Sequence, residues 1–361
     1  MGYEVDFLGV GSESKSGDAI AIRFGNLHGP RDEQTVVIID GGFKDSGQDV
    51  IDHVKSHFNT RKVDLVISTH PDQDHINGLE TVLEELDVGE LWMHQPWNHN
   101  AGLGEKFVDG RVSDNSIGER LKKNLEKAFD LLKLAERKGV EVSEPFTGLT
   151  YGAGEIKILG PSEHYYCELI PEFDGMPATV DESSKSLGGL FETALDAIKK
   201  FFATWGQDEL DNNDDTSAKN NSSVITQIIA DGRRMVFTGD AGVTALDYAA
   251  DELDACMLNA ELKFIQIPHH GSRRNVGPLV LDRIIGPAIQ QGESRGIMAF
   301  ASTAKNGEPK HPRKSVLNAF THRGAEVVAT RGYGKRHSYN APERENWSSV
   351  DAEPYHWEYE E

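Results

Sequence analysis

The chain is 361 residues long, carries 37 Lys/Arg against 59 Asp/Glu for a net charge of −22, and has two cysteines, Cys167 and Cys256. This is the composition of a soluble globular protein long enough to bury a full core, and two cysteines exclude a disulfide scaffold or a four-cysteine zinc site. Acids stand near the N-terminus where a leader would be basic, and no apolar run approaches the roughly 20 residues that span a bilayer, so the expectation is a cytoplasmic protein with no membrane partner.

Strand-like segments open the chain at 3–10 and 19–24. A β-branched run at 35–39 ends in Asp40-Gly41-Gly42, and another at 63–68 ends in Thr69-His70-Pro71. Apolar residues at Ile76, Leu79, Val82, Leu83 and Leu86 predict a helix over 76–86, and 88–93 reads as the next strand. Residues 98–144 read as a helical excursion, with Leu121, Leu125, Phe129, Leu132 and Leu134 at helical spacing. A strand is expected at 155–159, a helix at 183–203, and a polar, acidic loop at 207–221.

The pattern then returns to strands. Residues 224–230, the turn Asp231-Gly232 and 234–238 form a hairpin signal. A strand at 264–267 stops at Pro268-His269-His270, and strands at 296–301 and 326–330 flank a helix at 315–323. Beyond about 334 the chain is polar, and a loose tail is expected. Interspersed strands and helices imply mixed sheets with helices packed outside them, an α/β layered architecture.

The chemistry concentrates at strand ends. His70, Asp72, Asp74 and His75 place four potential metal ligands within six residues. A helix cap accounts for one carboxylate, not for two flanked by two histidines. Alternate side chains of a tight loop point the same way, so His70 and Asp72 can share one centre while Asp74 and His75 reach an adjacent one. Imidazole with carboxylate suits zinc or manganese. Asp240 follows the strand ending Met235-Val-Phe-Thr-Gly and is placed to bridge two ions. His269 and His270 end another strand, where Gly271 allows close backbone approach.

Together Asp40-Gly-Gly, the His70–His75 cluster, Thr238-Gly-Asp240 and Pro268-His-His-Gly-Ser272 resemble, in order and content, the metallo-β-lactamase-fold hydrolases. They are most similar to the lactamase-like domain of the ComEC/Rec2 competence proteins. Gly17-Asp18-Ala19-Ile20, Asn220-Asn-Ser-Ser-Val224 and the series Ser302, His311-Pro312, Thr330 fit that subgroup. The resemblance implies a four-layer αββα sandwich over 1–335, with insertions at 98–144 and 162–219 and a polar tail at 336–361. It implies two divalent ions: His70 and Asp72 on the first, Asp74 and His75 on the second, Asp240 bridging, and either His269 or His270 completing the second. Asp40 would orient the ligand loop.

Two departures stand out against the broader family. Asp72 replaces a histidine, which favours harder ions. The position of the first ion's third histidine holds Asn220, Asn221 and Ser222, which implies a weak first site. His94, His99 and His164 are expected at the surface or in loops.

The implied activity is phosphodiester hydrolysis on DNA or nucleotides through a metal-activated water, with Asp74 and His311 as the catalytic candidates. Asn221, Ser272, Arg273 and Lys305 are candidates to support the site or hold substrate. Between 261 and 340, 13 Lys/Arg stand against 5 Asp/Glu, a basic stretch suited to an anionic substrate. The alternatives are another metallo-hydrolase, such as a phosphocholine esterase, an amide or thioester hydrolase or a defence-system effector, and a non-catalytic, metal-stabilised module that binds a protein partner through its insertions.

Overall fold

The computed structural model describes residues 1–11, 15–180, 200–256, 259–306 and 311–360. The first strands are β1 (Gly2–Phe7), β2 (Ala19–Gly25), β3 (Gln34–Gly41), β4 (Lys62–Ile67), β5 (Asp87–Trp92), β6 (Glu141–Ser143), β7 (Thr150–Tyr151) and β8 (Ile156–Gly160). They are followed by β9 (Lys200–Phe202), β10 (Ile225–Ala230), β11 (Arg233–Phe237), β12 (Glu261–Gln266), β13 (Ile297–Ala301), β14 (Ala325–Ala329), β15 (Lys335–Tyr339) and β16 (Glu358–Glu360).

Two seven-stranded sheets result, ordered β15-β1-β2-β3-β4-β5-β6 and β14-β13-β12-β11-β10-β8-β7; β9 and β16 pair separately. In the first sheet β1 to β3 are antiparallel and β3 to β6 parallel. In the second, β8, β10 and β11 are antiparallel and β11 to β14 parallel.

The β-branched runs of β3 and β4 are apolar on both faces because both faces are covered. Val37, Ile39, Leu65 and Ile67 share the inter-sheet core with Phe237, Phe264, Phe300 and Val328. Val36, Ile38, Val63 and Val66 belong instead to the core formed with helices Ser46–His57 and Leu79–Glu85, through Val50, Val54, Leu79 and Val82. Helices Val243–Asp254, Pro278–Ile284 and Lys314–Thr321 supply the corresponding layer on the second sheet, and the four-layer αββα sandwich is complete.

Two local expectations change, at the 76–86 helix and in the tail. The helix expected over 76–86 is two, Gln73–Ile76 and Leu79–Glu85. Between them Gly78 N–H donates to Gly42 O at 3.0 Å, which draws the backbone out of the helical ladder. The 98–144 excursion contains helices Asp114–Asn124 and Glu126–Lys138, whose leucines pack into the main core, and it returns as β6 on the edge of the first sheet. The helix expected at 183–203 lies outside the described residues except for its last positions, where β9 is a strand.

The tail is not loose. Strand β15 pairs antiparallel with β1. Arg344 donates to both oxygens of Asp6 at 2.7 Å, and Arg336 pairs with Glu4. Glu4 and Asp6 are fully buried under this segment, and Arg23 donates to Glu4 at 2.6 and 2.9 Å. Buried carboxylates require such partners, so the tail completes the first sheet. Among the described residues no helix is long and apolar enough to cross a membrane.

The parallel halves of the two sheets end on a common edge. Asp40 sits at the end of β3, and the segments after β4, β11, β12 and β13 hold His70–His75, Asp240, His269–His270 and Ser302, as the carboxyl ends of parallel strands do in α/β sites.

Candidate metal centre

Asp40 ties the ligand loop to β3. Its backbone is left-handed (φ 56°), a conformation Asp tolerates better than most residues. Its Oδ1 accepts Thr69 N–H at 2.8 Å, and its Oδ2 accepts the Thr69 hydroxyl at 2.6 Å and lies 2.7 Å from His75 Nδ1. The loop is fixed from the other side by Gly17, where a Cβ would meet Asp74 O at 2.5 Å. Beside it, Asp18 N–H donates to Asp74 O.

The donor atoms converge in two lobes around Asp240. Asp240 Oδ2 lies 3.8 Å from His70 Nε2 and 3.6 Å from His269 Nε2, and His70 Nε2 lies 3.6 Å from Asp72 Oδ2. Asp240 Oδ1 lies 3.4 Å from His75 Nε2, which is 3.8 Å from Asp74 Oδ2; that oxygen is 3.5 Å from His270 Nε2. The two histidines left undecided by the sequence therefore divide, His269 to the first lobe and His270 to the second.

Hydrogen bonds at Nδ1 orient each ring. His75 Nδ1–H donates to Asp40, and His270 Nδ1–H donates to Ser302 O at 2.9 Å. His269 Nδ1 is 3.0 Å from both Asn275 Oδ1 and Asn220 Nδ2. His70 Nδ1 lies 3.1 Å from the Thr69 hydroxyl, whose own proton goes to Asp40. Each imidazole thus turns its Nε2 into the lobes. The Nε2 atoms of His70, His75 and His270 and Oδ1 of Asp240 are buried without a hydrogen-bond partner.

Orphaned buried acceptors facing one another are costly unless a cation joins them. Ligand bonds near 2.1 Å in tetrahedral array separate donors by roughly 3.4 Å; His70, His75 and Asp240, and likewise Asp74, His75 and His270, bring their donor atoms within 4.8 Å of one another, so these residues fit a divalent ion, while Asp72 and His269 stand farther out. The field has the matching sign. Burial opposes charge on His75, but Asp240 and Asp40 outweigh it and hold its pKa well above the ordinary value. His270 is raised to about 9 against its burial by Asp240, Asp74 and Asp18. A site that draws protons onto buried imidazoles is one in which divalent ions replace those protons.

Asp72 differs from the other carboxylates. Its Oδ1 accepts from Lys219 Nζ at 2.5 Å, and Lys219 also reaches Asp174 at 3.1 Å. Burial would raise the Asp72 pKa, but His70 and Lys219 outweigh it and hold the carboxyl below its usual range.

The remaining candidates scatter. His311 stacks on His269 (ring centroids 6.1 Å apart) and lines a cavity with Asp74 and His270. Burial, then His269 and His270, push its pKa down to about 4. Asn221 faces away from the lobes; its Oδ1 accepts Gly242 N–H and its Nδ2 donates to Asp214, steadying the turn after Asp240. Ser272 closes the His269 turn through its backbone. Arg273 and Lys305 are exposed. His94 is not a surface residue: it is buried and stacked on Tyr166, whereas His99 pairs with Glu144 and His164 is exposed.

Asp18, Lys219, Gln266 and Asn275 were not among the candidates. Asp18 lies 3.8 Å from His75 Nδ1 and 3.7 Å from His270 Nδ1, behind both second-lobe imidazoles, and accepts from Gln266 Nε2 at 2.6 Å. Gln266 Oε1 accepts from the backbone of Thr238 and Gly239, next to Asp240. The visible signal for Asp18 is an acid beside Gly17 at the mouth of a wholly buried strand.

The sequence profile of the Metallo-beta-lactamase superfamily matches residues 31–156, the span that holds Asp40 and the His70–His75 cluster. The chain has the metallo-β-lactamase fold. No curated protein matches it. Among solved structures, this metallo-β-lactamase-fold chain is similar to a diphosphatase of the PhnP family at 10% identity, with 94% of this chain and 98% of that one covered and a TM-score of 0.38. It is similar to the CmlA β-hydroxylase E377D mutant at 11% identity, covering 93% and 53%, TM-score 0.41. A third is MEM-A1, a subclass B3 metallo-β-lactamase from a soil metagenome library, at 11% identity, covering 78% and 85%, TM-score 0.32.

Proposed function

We propose that this protein is a metal-dependent phosphodiesterase acting on DNA or nucleotides. One observation carries the reading: the two oxygens of Asp240 face two different imidazole–carboxylate lobes. His70, Asp72, Asp240 and His269 on one side and Asp74, His75, Asp240 and His270 on the other would hold divalent ions, zinc or manganese, which would supply the Lewis acidity that phosphodiester hydrolysis requires.

The chain's own groups do the rest. Asp74 stands at the open side of the second lobe, in the cavity shared with His270 and His311, and orients the attacking water. His311 lies across that cavity, where a ring N–H is placed to donate to a phosphoryl oxygen. Asp40, Asn275 and the Ser302 carbonyl hold the imidazoles in orientation, so the site is preorganised. The exposed Arg273 beside the His269–His270 turn and the likeness of the motifs to the ComEC/Rec2 lactamase-like domain favour an anionic phosphodiester over an amide or thioester, while Arg283, Arg323, Arg331 and Arg336 of the basic stretch are taken up by carboxylates of the chain.

The test is turnover of bis-p-nitrophenyl phosphate and of single- and double-stranded DNA by protein stripped with EDTA and reloaded with Mn²⁺ or Zn²⁺. Metal-dependent turnover that falls at least roughly 100-fold in Asp74→Ala is expected. No turnover with either ion, and no difference between Asp74→Ala and the parent, overturns the reading.

A further inference from the structure

The cavity at Asp74, His270 and His311 does not end there. Through Lys15 and Phe43 it continues into a second cavity reaching Lys305 and Tyr333, the two measuring about 370 and 750 Å³. Tyr333 is 57% exposed, a large aromatic surface open to solvent. Lys305 Nζ lies 5.7 Å from its ring centroid. Neither Lys15 nor Lys305 pairs with a carboxylate among the described residues.

This wall is rigid rather than a loose loop. Thr330, a motif residue with no part in the lobes, pins it: Thr330 Oγ1 accepts Thr303 N–H at 2.7 Å and donates to Thr303 O at 2.9 Å. Gly332 N–H donates to Thr303 O and Tyr333 N–H to Thr330 O. A Cβ on Gly332 would meet Lys305 Cβ at 2.8 Å, so the two loops interlock only with glycine there. The same 302–305 loop orients His270 through the Ser302 carbonyl, so Tyr333 and Lys305 are fixed relative to the second lobe.

Asp45 and Asp49 also line the second cavity and have no cationic partner among the described residues. Burial, then Asp52 and Asp45, raise the Asp49 pKa, as for a carboxylate short of donors. These acids repel a run of phosphates, but they accept N–H groups. A flat aromatic with exocyclic or ring N–H donors, attached to one phosphate, satisfies every wall.

We infer that this groove is a nucleobase subsite, in which the base of a nucleotidyl phosphodiester stacks on Tyr333 and donates to Asp45 or Asp49, with Lys305 on the adjoining sugar–phosphate and the scissile phosphate at the lobes. The inference rests on the phosphodiesterase reading and narrows it to single nucleotides or unpaired strand ends, since a duplex does not offer a free base face.

The test compares the p-nitrophenyl ester of thymidine 5′-monophosphate with methyl p-nitrophenyl phosphate, which has the same leaving group and no base. The parent prefers the nucleotidyl ester in kcat/KM. Tyr333→Ala reduces that preference roughly tenfold, mainly through KM, by the usual worth of base stacking, and Tyr333→Phe retains it. No preference in the parent, or a preference untouched by Tyr333→Ala, overturns the subsite. If the loaded parent cleaves neither ester, the phosphodiesterase reading fails by itself. The groove is then read by equilibrium binding of a fluorescent nucleotide in EDTA: binding weakened by Tyr333→Ala supports it, and no binding, or binding unchanged in the variant, overturns it.

Discussion

Lys219 holds Asp72 Oδ1 at 2.5 Å while Asp72 Oδ2 faces His70 Nε2 at 3.6 Å. One carboxylate therefore serves a fixed ammonium on one oxygen and the first lobe on the other. A fixed cation beside a ligand repels an incoming one. Lys219→Met is expected to tighten zinc binding in the first lobe, roughly threefold to tenfold, and Asp72→Asn to weaken it at least roughly tenfold. Competition against a chromophoric chelator measures both; weaker binding in Lys219→Met contradicts the account.

Asp18 stands behind both second-lobe imidazoles, 3.8 Å from His75 Nδ1 and 3.7 Å from His270 Nδ1. Outer partners of this kind set ring orientation and basicity. Asp18→Asn keeps the shape and removes the charge, and should lower affinity for the more tightly held ion by roughly 10- to 100-fold. Calorimetric titration with Zn²⁺ reads this directly. An unchanged isotherm would remove Asp18 from the centre.

His94 is buried with neither ring nitrogen hydrogen-bonded among the described residues, and burial, followed by the nearby His99, pushes its pKa down to about 3. Its folded value lies below that of the unfolded chain, near 6.5, so the unfolded state binds the proton first as pH falls. The contribution of His94 is complete above about pH 6.5 and is lost as pH falls from there toward 3. His94→Phe keeps the stacking on Tyr166 and removes the titration. Thermal melts of this variant should fall less steeply between pH 6.5 and 4 than those of the parent; parallel curves would refute the assignment.

Arg344 covers Asp6, which is fully buried, and its own side chain is 6% exposed. Removing one partner of a buried pair strands the other. Arg344→Ala should cost about 3 kcal/mol in urea unfolding, with Arg344→Lys intermediate because it keeps the charge and loses the fork. A loss below about 0.5 kcal/mol, the scale of surface pairs, would mean that the tail is peripheral.

The strand ends were legible because the chemistry there is dense and local: His70, Asp72, Asp74 and His75 lie within one turn of chain, and Asp240 and His269–His270 each follow an unmistakable apolar run. The αββα layering followed from runs such as those of β3 and β4, buried on both faces. What was hidden depends on contacts across large sequence separations. Lys219 meets Asp72 over 147 residues, and Asp18 meets Gln266 over 248. Neither residue has a local pattern that announces its partner. The tail misled for a related reason. Lys335–Tyr339 is too polar to read as a core strand, and only the acids it covers, Glu4 and Asp6 on β1, demand it. The choice between His269 and His270 turned on backbone geometry: both residues take positive φ, 47° and 56°, which splays adjacent rings into separate lobes.

The division of donors between the sheets has a mechanical corollary. His70, Asp72, Asp74 and His75 hang from the first sheet, and Asp240, His269 and His270 from the second. A bound ion is then a clasp between the two halves of the chain, closing a loop of more than 150 residues whose free ends would otherwise carry considerable entropy. Removal of a bound ion is therefore expected to loosen the seam between the two sheets.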